Sequence, residues 1–105
     1  MSWYEKIIAV HLEVTDQVSH SEHLQSDRYF VWQEENQTDL ISDNRHGESI
    51  VTGSTDLFTK QEFDPWKAAF EAAMNDSPCI SWNLESIQYE EETGFYHYEW
   101  LWKVM

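Results

Sequence analysis

The sequence predicts a single α+β domain spanning residues 1–105, with elements in the order α-β-β-α-β-β. A mostly antiparallel four-stranded sheet is expected, with two helices packed on one face. Three patterns carry this assignment. Trp3, Ile7, Val10, Val14 and Val18 recur at spacings of four, three, four and four, the period of one helix face. Asp64-Pro65 precedes a second run of helical period. Tyr96, Tyr98, Trp100, Trp102 and Val104 alternate strictly, as on one face of a strand.

The first helix is expected from Ser2 to His20. Tyr4, Ile8, His11 and Leu12 widen its apolar arc to about 200°, more than one sheet face covers. Ile8 and Leu12 are therefore spare apolar surface, either tucked beneath a loop of the same chain or forming a subunit contact. Arg28 to Glu35 reads as an aromatic and branched strand, with Tyr29 and Val31 on one side and Phe30 and Trp32 on the other. Asn36 to Gly47 is polar and turn-prone, interrupted only by Leu40 and Ile41, and is expected as a long loop. Glu48 to Thr59 alternates again, with Gly53 marking a bulge or a close backbone approach.

Asp64 fits the N-cap of the second helix and Pro65 fits N1, where its missing N–H costs nothing. Phe63, one residue before the cap, is placed to fold over the first turn. Trp66, Phe70, Ala73 and Met74 form the inward stripe, and Asn75 to Pro78 ends the helix. Ile80, Trp82 and Leu84 alternate, then Ile87 and Tyr89 continue one residue out of phase, which predicts a bulge near Glu85 and Ser86. Glu90 to Gly94 makes an acidic turn into the aromatic closing strand, expected as the outer half of that hairpin. So apolar a stripe at the carboxyl terminus argues for a strand built into the sheet and a chain complete as a small domain.

Charge narrows the function classes. Twenty acidic residues against six basic ones give a formal charge of −14, which repels phosphate backbones and anionic lipid. The acidity serves solubility, keeps a polyanion from adhering, or imitates one as a DNA mimic does. No apolar run approaches the roughly 18 residues of a membrane span, and no basic and then apolar leader opens the chain. The lone Cys79 offers no internal disulfide, so an intracellular setting is the default.

The residues do not assemble an enzyme. His20, Glu22 and His23 lie close together, but a stable metal site needs three or four convergent ligands, so no metal is expected. Cys79 has no His or Asp beside it, and Glu34-Glu35 and Glu90-Glu91-Glu92 read as solvated runs. The three glycines are too far apart to cradle a phosphate, and no cofactor is implied. On the last strand His97 and Glu99 lie opposite the aromatic stripe, expected either as a plain surface pair or, with Lys103, as the face where a partner is met.

The element order, the early strand Tyr29 to Glu35, the acidic loop and the passage Thr55 to Trp66 together resemble the tail terminator and tail-to-head joining proteins of long-tailed bacteriophages. The first helix from about Tyr4 to Val18 and the aromatic closing strand are similar as well. The resemblance covers nearly the whole chain. It implies a non-catalytic ring, in the family a hexamer, that caps the tail tube and meets tail-tube and head-connector proteins. The setting it implies is the bacterial cytoplasm during assembly and the virion tail or neck afterwards. It also assigns lumen or neighbour contacts to Asp39, Leu40, Ile41, Asp43 and Arg45 in the acidic loop, and to Ile8, Leu12, His97 and Glu99. The competing reading is an acidic interaction protein or DNA mimic that inhibits a nucleic-acid-binding enzyme.

Overall fold

A computed structural model describes residues 1–39 and 49–105. Its elements are α1 (Trp3–Leu12), β1 (Val18–His20), β2 (Arg28–Asp39), β3 (Ser49–Thr59), α2 (Pro65–Asn75), β4 (Ile80–Glu90) and β5 (Phe95–Val104). The strands form one sheet in the order β1-β2-β3-β5-β4. β1 runs parallel to β2, and the other pairs are antiparallel. The sheet is thus five-stranded and mixed rather than four-stranded.

The extra strand comes out of the predicted first helix, which ends at Leu12 instead of His20. Ser2 and Glu5 start α1 with a reciprocal capping box, and the Val14 and Thr15 amides close its last turn on the His11 carbonyl. Val14, Thr15 and Val18 are β-branched and interspersed with Asp16 and Ser19, all poor helix formers. Val14 and Val18 still pack against the core, as the spacing implied. A four-residue interval fits a helix turn and also a turn followed by a strand, and here the chain extends to lay Val18 opposite Phe30.

β2 also runs further than expected, to Asp39, because Asn36 to Asp39 pair with Ser49 to Thr52. Part of the predicted loop is therefore strand. Glu35 has no partner on β3, a second bulge that periodicity did not reveal. The bulge lies beside Gly53, where a Cβ would collide with the Gln33 carbonyl and the Trp102 ring. Of the two alternatives for Gly53, the close approach is the one realised. The predicted bulge in β4 is present between Leu84 and Ser86, and Gly94 turns the hairpin with φ 77°.

The closing strand β5 is interior, flanked by β3 and β4, and β4 is one edge of the sheet with β1 the other. This corrects the expected arrangement. The reason lies in the side chains: Tyr98, Trp100, Trp102 and Val104 are all buried, whereas β4 sends Ser81, Asn83 and Glu85 to solvent. Both helices cover one face. Ile7 and Val10 of α1 and Phe70, Ala73 and Met74 of α2 join Phe30, Trp32, Leu57, Trp100 and Trp102 in one core.

Inside that core runs a chain of polar groups. The Trp102 indole N–H donates to the Thr55 hydroxyl (2.9 Å), which donates to His11 Nε2 (3.0 Å), and His11 Nδ1–H donates to the Ile7 carbonyl (2.7 Å). Every member is satisfied only if His11 is neutral. Burial drives its pKa down to about 4, partly opposed by the Ile7 carbonyl. The unfolded chain therefore takes up this proton at higher pH than the folded one. Stability from this group is intact above the ordinary histidine value of about 6.5 and falls as pH drops toward 4, by about 3 kcal/mol in all. Urea unfolding of wild type and His11→Gln across pH 4–7 checks this. The variant is expected to lack that slope, and identical slopes would show that His11 protonates freely in the fold.

Candidate functional site

Opposite the helices the sheet presents an open face. At one end Tyr29, Val31 and Phe58 cluster with Leu24 and Phe95. In the middle, cross-strand register sets Asp56 of β3 directly against Glu99 of β5, an arrangement of like charges that ordinarily destabilises a sheet. His97 tempers it. Its Nε2 meets Asp56 Oδ1 at 2.7 Å, and its ring stacks on Phe58 at 4.3 Å. The Asp56 carboxylate raises the His97 pKa, outweighing partial burial.

Both bulges add a glutamate to this row. Glu35 on β2 and Glu85 on β4 have no cross-strand partner. Glu35 borders a concavity of about 380 Å3 with Thr52, Asn83, Leu101 and Lys103, and the Asn83 amide donates to Glu85. Burial and then the charges of Asp56, Glu85 and Glu35 raise the Glu99 pKa, with His97 opposing. Four adjacent strands thus contribute one carboxylate each. A row of this kind repels polyanions and attracts cationic groups. It holds no activated nucleophile, and among the described residues no three His, Cys, Asp or Glu side chains converge in a metal-binding geometry. No helix is long and apolar enough to cross a membrane among these residues.

The second feature is an apolar groove of about 450 Å3 between the start of α2 and the β4–β5 pair, lined by Phe63, Pro65, Ala68, Ile87 and Tyr96 among others. Asp64 builds its helical wall. The carboxylate caps α2 by accepting the Trp66 amide (2.9 Å) and also takes the Thr59 hydroxyl and the Arg28 guanidinium, whose Nε lies at 2.7 Å. Arg28 then lies over the Trp66 ring at 3.8 Å. Burial works against ionisation of Asp64, but these donors together hold its carboxyl below the usual range. Holding Asp64 here leaves Phe63 at φ 54°, and its side chain is 85% exposed. The expected fold of Phe63 over the first turn does not occur.

The residues singled out from sequence are scattered. Ile8 is half-buried against the core rather than spare, whereas Leu12 at the end of α1 is 54% exposed. Asp39 is the last residue of β2, opposite Ser49. Leu40, Ile41, Asp43 and Arg45 lie outside the described residues. His97 and Glu99 do share the open face, but His97 bonds to Asp56 and not to Glu99. His20 pairs with Glu34 at 2.7 Å and stacks on Trp32, and His23 contacts the Tyr29 hydroxyl. Sequence reasoning missed Asp56 and the convergence of Glu35 and Glu85 with Glu99. The phase slip near Glu85 was the only available signal, and it gave no register.

No protein-family profile matches this chain, and no curated protein matches it. Among solved structures, a chain in the virion of a native gene transfer agent (GTA) particle is similar, with a TM-score of 0.60 and 13% identity. The match covers 98% of this chain and 90% of that one. At this identity the likeness is one of fold.

Proposed function

We propose that this chain is a virion structural protein of a phage or prophage, which ends the tail tube, joins the tail to the head, or does both, and which works as a ring. The observation that carries the reading is a fold shared almost end to end with a chain of a phage-like particle. The carboxylate row supports it. DNA leaving a capsid must slide without adhering, and a wall bearing Glu35, Asp56, Glu85 and Glu99 repels phosphates over about 8–10 Å at physiological salt. We place the open sheet face toward the lumen and Leu12 at a subunit contact. A hexamer is the ring size that the family resemblance implies.

Electron microscopy of particles made without the gene tests this. Tubes of uncontrolled length, or finished tails detached from filled heads, are expected. Normal tails seated on heads would exclude both roles. The DNA-mimic alternative requires a single carboxylate ridge. The row on the open face is one such stretch, but Glu5 and Glu13 lie at the two ends of α1, Glu71 on α2, and Glu90 to Glu92 at the hairpin, and this scatter counts against that reading.

A further inference from the structure

We propose that β4 takes up an extended, basic segment of a partner protein as a sixth strand, along its second half from Ser86 to Glu90. This contact does not depend on the virion reading. β4 is an edge of the sheet and has 11 residues, against three in the opposite edge strand β1. Among the described residues, no backbone bond reaches Ser81 to Tyr89 from any element but β5. Every second residue of such an edge turns its N–H and C=O outward, and a row of that kind is matched by another strand. Lysine, proline or a bulge commonly blunts an edge. β4 has no lysine and no proline, and its bulge lies between Leu84 and Ser86, before the second half begins.

The two faces of that half specify the occupant. Ile87, Gln88 and Tyr89 are exposed in succession, Ile87 and Tyr89 each at 54%. Ile87 and Tyr89 lie on the face that carries the helices, opposite Tyr98 and Tyr96 of β5. From Ile87 the groove of about 450 Å3 runs to Phe63 and Pro65 at the start of α2. A sixth strand buries this apolar edge and sends its own apolar side chains into the groove. On the open face Glu85 stands at the bulge and Glu90 at the hairpin end, with Glu91 and Glu92 beyond it and no basic residue in β4. A segment of about five residues, roughly 17 Å long, in which apolar side chains alternate with Lys or Arg, therefore complements both faces. A second copy does not. β4 paired with β4 sets Glu85 and Glu90 of two chains along one seam, and two chains of charge −14 repel.

The test titrates the 15N-labelled full chain with the capped heptapeptide Lys-Val-Lys-Val-Lys-Val-Lys, followed by NMR. The controls are a peptide of four lysines followed by three valines, and two N-methylated forms of the alternating peptide, one blocked at each valine and the other at each lysine. Shifts at the amides of Ser86 to Glu90 are expected. The block-order peptide should bind at least about tenfold more weakly, as should one of the two N-methylated forms, since a single row of amides faces β4. Ile87→Ser, shown to be folded by its thermal melt, should weaken the alternating peptide by about tenfold as well. Equal affinity for the alternating and block-order peptides, or shifts at Asp56 and Glu99 with the β4 amides unmoved, overturns the added strand in favour of plain charge attraction. No shift at millimolar peptide also overturns it. Wild-type dimers in sedimentation that Ile87→Ser disperses, without peptide binding, overturn it in favour of a second copy.

Discussion

Trp100→Ala is expected to cost about 3–5 kcal/mol of folding stability, the range for truncating a large buried aromatic. Trp100 sits at the centre of β5 with no solvent exposure. Phe70 meets it edge-on at 5.0 Å, Tyr98 stacks on it at 6.0 Å and Phe30 lies at 6.4 Å. Its indole N–H also donates to Glu71 at 3.0 Å, across from the Glu71–Lys67 ion pair. Alanine would leave a void among side chains from a helix and two strands, which cannot all collapse inward together. Against a total stability of about 5–15 kcal/mol for a domain, the loss is large. Urea unfolding followed by circular dichroism checks it, and a soluble variant melting within a degree or two of wild type would show that the core is misassigned. Trp66→Ala is expected to cost less, since Arg28 rather than the core covers one face of that ring.

Asp64→Ala is expected to cost about 2–3 kcal/mol, less than breaking an ion pair buried on both sides because the Arg28 side chain is 34% exposed. The Asp64 side chain is fully buried, and its loss removes the acceptor of the Thr59 hydroxyl, the Trp66 amide and the partly exposed Arg28 guanidinium together. About 1 kcal/mol of this belongs to the helix cap. Asp64→Asn keeps the cap oxygen but not the charge, so it should recover that share and no more. Since the folded carboxyl is held below its usual value, its contribution is complete above about pH 4 and is lost as pH falls through the folded pKa. Acid should therefore act in two stages, first through His11 and then through Asp64. Equal melting temperatures for Asp64→Ala and wild type would contradict the clamp.

How far sequence revealed the fold can be traced to particular residues. Asp64-Pro65 fixed the start of α2 because a cap and a proline act locally. The slip between Leu84 and Ile87 located a bulge because alternation with period two registers a single inserted residue. Val14 and Val18 were correctly inward but were given the wrong conformation, since burial constrains a side chain and not the backbone that delivers it. Strand order was harder, because it depends on pairing between distant segments. The same limit hid the carboxylate row. Glu35, Asp56, Glu85 and Glu99 are far apart in the chain, and only register across four strands brings them onto one face.

The proposed role in completing a tail makes a prediction for tails assembled without this protein. Its most direct test is to add purified, gold-labelled protein to tails prepared without it and to image them by electron microscopy. Label at one end of the tube and restored joining of tails to heads are expected. Label spread along the tube, or none bound with joining unrestored, would contradict it.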